Sequence, residues 1–433
     1  MKNTFLKSTI ILLIGGLITK LLGMFIKIGM ARYLSTEVLG TYMLIIPTFT
    51  LLLSISQFGF PLAISKLISE ESKSSKKILF SILPIIIIIN IILIIMIILL
   101  APTISNNLLH NSNTYYSIIA MSLVIPFTTI SNICRSYFFG KQRMLPHVIT
   151  NIIEELLRII MIFIFLPYII PYGIKITLVY LILINLLSEI TSTILLILCL
   201  PKNIKITKSD LKPNKMYIKD TLQISIPNIS SRLLGSFAYF LEPIIITTIL
   251  SNIGYSMKYI THEYGIITGY VLPIIILPSF FTSAISQALL PVISKEYKRN
   301  NHLKVKRTIK KALLLSVIIT LPISLFLLIK PNIVLKTIYH TTKGKIYIQV
   351  LSIVSILEYL SSPLTSILDS LNKSKYNLIA SLIGTITRTI SLILLSYLKI
   401  GLWSLIISII ISIITTTSYQ LIKVSQYLNN SFI

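Results

Sequence analysis

Runs of about twenty apolar residues, separated by short polar breaks, recur along the whole 433-residue chain. As a helix, each run is long enough to cross the roughly 30 Å hydrocarbon layer of a bilayer, where a helix satisfies all of its own backbone groups. The pattern predicts twelve spans, at 8–32, 41–65, 78–101, 116–138, 146–167, 176–199, 221–250, 265–291, 308–329, 347–369, 376–398 and 402–422. The fold class is therefore all-α, a polytopic membrane protein of about twelve transmembrane helices. Span 3, PIIIIINIILIIMIILLAP, is nearly pure isoleucine and leucine and reads as a lipid-facing helix without chemistry.

The N-terminus MKNTFLKSTIILLIGGLITKLLG carries basic residues ahead of an apolar stretch, but it has no small-x-small cleavage site and runs on into more helix, so it reads as a retained first span. The longest predicted cytoplasmic connection, PKNIKITKSDLKPNKMYIKD at 201–220, holds six lysines and two prolines at the middle of the chain. It separates an N-terminal six-helix lobe at 1–200 from a C-terminal one at 221–433. The halves repeat weakly. TKLLG at 19–23 is answered by SRLLG at 231–235, and Gln57 with Pro61 and AISK by Gln287 with Pro291 and VISK. Each half starts and ends on the same side, so the repeats are parallel, related by an axis along the membrane normal.

Composition agrees: 54% of residues are hydrophobic, 12% are charged and the mean hydropathy is +0.88, beyond what a soluble core requires. The net charge of +26 raises the question of nucleic acid, and the positions of the basic residues answer it. Most of the 39 Lys and Arg fall in connections on one side, the positive-inside bias, which predicts both termini in the cytoplasm and a plasma-membrane location. The expected partners are membrane lipids rather than nucleic acid, and the chain reads as a monomer. Cys134 and Cys199 lie near cytoplasmic span ends and imply no disulfide. No HExxH, Asp pair or Cys and His cluster occurs, so the sequence predicts no catalytic residue, metal site or cofactor, and no enzyme.

Four spans place polar residues at a spacing of four, three and four, which lies along one helix face. Span 1 has Gly16, Lys20, Gly23 and Lys27, and span 7 has Asn228, Arg232, Gly235 and Tyr239, with Glu242 beyond. Span 5 has His147, Asn151, Glu154 and Arg158, and span 11 has Asn377, Ser381, Gly384 and Arg388. The first pair of stripes is offset by 212 residues and the second by 230, so equivalent helices of the two lobes carry equivalent stripes. Lys20 follows Ser8 by twelve residues and so sits roughly 18 Å into the membrane, too deep to snorkel. Lys27 is nearer the outer surface and can.

Lys20, Arg232, Lys27, Asn228, Gln57 and Gln287 are the candidate cargo-binding residues, with one cation at the equivalent stripe position of each lobe, Lys20 deep in its span and Arg232 nearer the cytoplasmic end of its own. Glu154 and Arg158 form an i,i+4 pair that braces span 5 near a cytoplasmic gate, with Glu155 turned toward the basic GKQR at 140–143. Glu242 and Arg388 join this structural set. As an isolated pair, Arg158→Ala would do more damage than removing both partners, since it strands a buried carboxylate. Glu358 and Asp369, on a polar stripe of span 10 with Ser355, Ser362 and Thr365, are the candidates for coupling to H⁺ or Na⁺.

Four blocks then carry a resemblance: ITKLLGMFIKIGMARYLSTEVLGTYMLIIP, FGFPLAISKLISEE, SYFFGKQRMLPHVITNIIEELLRI and YGIITGYVLPIIILPSFFTSAISQALLPVISKEY. Together they resemble the stage V sporulation protein B family, in the polysaccharide-export and lipid II flippase branch of the multidrug, oligosaccharidyl-lipid and polysaccharide flippase superfamily. The resemblance implies two six-helix lobes around a central cavity. Alternating access would carry a lipid-linked sugar precursor, of peptidoglycan or polysaccharide type, from the inner to the outer leaflet. Lipid II flippases of that superfamily usually carry two further C-terminal spans that hold the lipid tail, whereas this sequence gives twelve. The sign of Lys20 and Arg232 suits an anionic diphosphate. The alternative, a cation-coupled exporter of the multidrug and toxin extrusion type, would meet repulsion from the same residues.

Overall fold

Helix is the only regular structure in the described residues, 2–70, 75–201 and 215–430, of the computed structural model. Most of the 201–220 connection thus falls outside the described residues. The first helices are α1 (Lys2–Tyr33), α2 (Thr36–Gln57), α3 (Phe60–Ser69), α4 (Ser75–Pro102), α5 (Tyr115–Gly140), α6 (Met144–Ile160), α7 (Leu166–Ile169) and α8 (Ile174–Cys199). There follow α9 (Lys215–Asn252), α10 (Met257–Gly265), α11 (Leu272–Ile276), α12 (Ser279–Lys298), α13 (His302–Ile329), α14 (Pro331–Tyr339), α15 (Lys345–Ser370), α16 (Ser374–Ser396) and α17 (Trp403–Asn430).

Among the described residues ten helical segments are long and apolar enough to cross a membrane, and α10–α12, bent by 46° between Ile276 and Ser279, makes an eleventh. Pro273 and Pro278 remove backbone donors at that bend. The remaining span, 146–167, is helical as α6, but its charges set it apart from the other eleven, so the count of twelve rests on it. The protein is a multi-pass membrane protein.

Breaks fall where the backbone demands them. Between α2 and α3 both Phe58 (φ 45°) and Gly59 (φ 69°) are left-handed, and a Cβ on Gly59 would stand 2.9 Å from the Ser225 carbonyl of α9. Glycine is needed there twice, for the dihedral and for the close approach.

The chain forms two compact units, residues 1–244 and 245–433. The first takes in most of α9 for visible reasons. Beside the Gly59 contact, Ser54 and Ser236 hydroxyls are 2.7 Å apart, and Tyr217, Leu222 and Ile224 pack on the core of Phe60, Ile64 and Ile68 from α3, Ile82 from α4 and Phe138 from α5. The compact units thus divide within α9, whereas the sequence repeat divides at 201–220. The second unit is built around Ile293, Ile309, Leu364, Leu368 and Val424.

The expectation for span 3 needs correction. Ile82, Ile86, Asn90, Leu93, Ile97 and Ala101 form a buried stripe on α4, while Ile88, Ile92, Ile95 and Leu99 stay exposed. Asn90 does bear chemistry: its Oδ1 lies 3.4 Å from Thr129 Oγ1, which is 3.1 Å from Ser56 Oγ, so three helices meet at one polar node. In lipid, apolar contact alone does not distinguish one helix partner from another, and such nodes do.

Candidate functional site

The two faces of α1 have different surroundings. A Cβ on Gly15 would collide with Val148 of α6, and one on Gly29 with Phe163, so this face is packed. On the polar stripe, a Cβ at Gly16 or Gly23 would meet nothing within 4 Å, and Lys20 and Lys27 are exposed. Along α9, Gly235 likewise faces open space, with Arg232 and Tyr239 exposed on either side of it. These stripes therefore carry Lys20, Lys27 and Arg232 on open helix faces. The side chain of Asn228 lies outside the described residues. Glu242 is buried, on a different footing from Arg232. Arg232 falls in the same compact unit as Lys20. Gln57 is half-buried in the last turn of α2, and Gln287 is exposed on α12.

The Glu154–Arg158 pair is part of a larger hub. Glu154 Oε1 accepts from Arg158 Nη2 at 2.6 Å, and its Oε2 accepts from Arg135 Nη2 at 2.6 Å. Arg158 also lies 3.4 Å from Glu155 and 3.8 Å from Glu189. Serines complete the shell: Arg135 donates to Ser192 (2.9 Å), Arg158 Nε to Ser188 (2.8 Å), and Ser131 to Glu189 (2.8 Å). Three helices, α5, α6 and α8, are tied through one carboxylate that is almost fully buried. Glu155 reaches Arg158, not the basic connection assigned to it. Arg135 and Glu189 were the partners that spacing could not supply, although each is an ionisable residue inside a predicted span and so required one.

The equivalent place in the second unit has different chemistry. Here α15, α16 and α17 enclose a cavity of about 370 Å³ lined by Ser361, Thr365, Asn377, Ser381, Thr416 and Gln420, among others. Asn377 donates to Asp369 (2.8 Å) and to the Thr365 carbonyl (3.0 Å), while Gln420 donates to Asn377 (3.2 Å). Asp369 is thus fixed by an amide. Glu358 on α15 is close enough to Arg388 on α16 for their charges to interact. The structure therefore gives both coupling candidates a partner on α16.

An all-α, multi-pass chain in two compact units, with cations on open helix faces, has the two-lobed fold of MOP-superfamily transporters. An inward-facing multidrug resistance transporter of the MATE family in that superfamily superposes with a TM-score of 0.72 at 16% identity, over 95% of this chain and 96% of its own. The lipid II flippase MurJ in an inward closed conformation gives 0.73 at 18% identity, over 95% and 87%. The chain belongs to the polysaccharide biosynthesis protein family, whose pattern matches residues 5–297, and the MatE pattern matches 243–398. Stage V sporulation protein B of Bacillus subtilis (strain 168) is 30% identical over 99% of this chain and 85% of its own length. Lipid II flippase MurJ of the same organism is 22% identical over 90% and 77%.

Proposed function

We propose that the protein is a flippase that moves a lipid-linked, anionic sugar precursor from the inner to the outer leaflet of the plasma membrane by alternating access, with both termini in the cytoplasm. The observation that carries this reading is the pair of cations at equivalent stripe positions, Lys20 and Arg232, exposed on stripes whose glycines open onto space. A cation on an open polar face inside a membrane meets water there, and an anionic diphosphate passing that face would be attracted to it. The 30% identity to stage V sporulation protein B and the likeness to lipid II flippase MurJ support the same class of cargo. Glu358 and Asp369 are the coupling residues in this scheme, for H⁺ or Na⁺.

Reconstitution in vesicles with a fluorescent polyprenyl-diphosphate sugar tests it. Lys20→Gln is expected to lose most of the transfer to the opposite leaflet, Lys20→Arg to retain part, and Arg232→Lys to fall between. Guanidinium grips phosphate through a planar fork and ammonium as a point charge, so the position of each matters as well as its sign. Wild-type transfer by correctly folded Lys20→Gln and Arg232→Gln variants would overturn the cationic mechanism. The MatE match over 243–398 supports a second reading, export of a cationic compound. Transfer of a fluorescent organic cation in the same vesicles, with none of the anionic lipid, would favour it.

A further inference from the structure

A second anion-binding feature stands apart from the Lys20 and Arg232 stripes. In the first unit α3, α5 and α6 surround an open cavity of about 570 Å³ whose lining includes Ser65, Lys66, Asn132, Arg135, Ser136 and His147. Among the described residues no carboxylate lines it. Lys66 is exposed at its mouth, and the connection carrying Lys141 and Arg143 joins α5 to α6 at the same end.

Arg135 is held in position from behind, since its Nη2 is committed to Glu154 and Ser192. Its Nε is buried without a hydrogen-bond partner, and so is Nδ1 of His147, whose ring is held against Phe139 at 4.7 Å. The hub's other acids, Glu155 and Glu189, lie 3.4 and 3.8 Å from Arg158, and neither lines the cavity. Beside these polar groups the cavity has an apolar lip: Leu62, which is 54% exposed, lines it together with Pro61 and Phe139.

We propose that this cavity is a site for a phosphate group carried on a membrane lipid, with Lys66, Arg135 and His147 meeting the phosphate and the apolar lip at Leu62 meeting the start of the acyl region. Charge-assisted donors select the phosphate, and the apolar lip selects a lipid over a soluble ion. This inference does not depend on the flippase reading. It assigns a lipid contact to the first unit whether or not that lipid is cargo.

The test is thermal unfolding of the purified full-length protein in a neutral detergent. The additives are phosphatidic acid, diacylglycerol with the same acyl chains, or inorganic diphosphate. Phosphatidic acid is expected to raise Tm by several degrees and diacylglycerol to leave it unchanged. Lys66→Gln, an exposed position that leaves the fold intact, and His147→Gln should each remove most of that rise, while Lys20→Gln, outside the cavity, should keep it. A full rise in both cavity variants, or no rise in the native protein, would overturn the site. A rise with diphosphate but not with phosphatidic acid, lost in the same variants, would overturn the lipid as its source.

Discussion

The α5–α6–α8 and α15–α16–α17 groups occupy equivalent places in the internal repeat yet differ at the centre of the shared stripe. In the first, Glu154 bridges Arg135 and Arg158, and ion pairs tie the helices. In the second, the residue 230 positions on is Gly384, and α17 comes so close that a Cβ there would collide with Thr416 Oγ1. Ser412 donates to the Gly384 carbonyl at 3.0 Å, and Thr387 and Thr415 hydroxyls lie 3.1 Å apart across the same seam. A carboxylate needs room and counter-charges, whereas a missing side chain allows backbone approach and neutral hydroxyl contacts. At this position of the stripe, 230 residues apart, one unit thus has a bridging carboxylate and the other a close-packed glycine, while Arg388 further along keeps a charge interaction with Glu358.

The largest effect should come from removing the shared carboxylate. Glu154→Ala takes the bridging carboxylate from two largely buried guanidiniums, leaving Arg158 only the longer contacts to Glu155 and Glu189, and a loss of about 3–5 kcal/mol is expected. Thermal unfolding in detergent would show it as the lowest Tm of the set. Arg158→Ala comes next, because Arg135 still neutralises Glu154. The double change Glu154→Ala with Arg158→Ala leaves Arg135 stranded and should unfold below Arg158→Ala alone. This reverses the order expected for an isolated pair. A double variant more stable than Arg158→Ala would mean that Arg135 takes no part.

In the second unit Gly384→Ala should cost about 1–3 kcal/mol by overpacking against α17. Gly15→Ala, which meets Val148 of α6, should behave alike. If Gly384→Ala left Tm at the native value, the close-packed seam would be a poor description of that unit. The smallest effect is predicted for the open stripe: Gly16→Ala and Gly23→Ala should stay within about 0.5 kcal/mol of the native protein. A large loss at Gly16 would place protein, not open space, against that face.

Much of the fold was legible because a bilayer restricts the choices. A run of twenty apolar residues must span as a helix or be buried, and a four-three-four polar spacing must lie on one face. Lys20, Arg232 and the two repeated stripe pairs followed from those constraints alone. The candidate coupling residues Glu358 and Asp369 were found in the same way, as acids inside spans. Their partners, Arg388 and Asn377, lie on the next helix, and no periodicity within one helix reveals them.

The sequence by itself determined the class of protein, the approximate positions of its helices and which helix faces are polar, since all of these depend on local hydropathy and helical period. Tertiary structure alone decided which charges meet. Arg135 reaches Glu154 over 19 positions and Ser192 over 57, distances along the chain that carry no periodic signal. It also decided which side of α1 is packed and which is open, because Gly15 and Gly16 are adjacent and chemically identical and differ only in what another helix places opposite them.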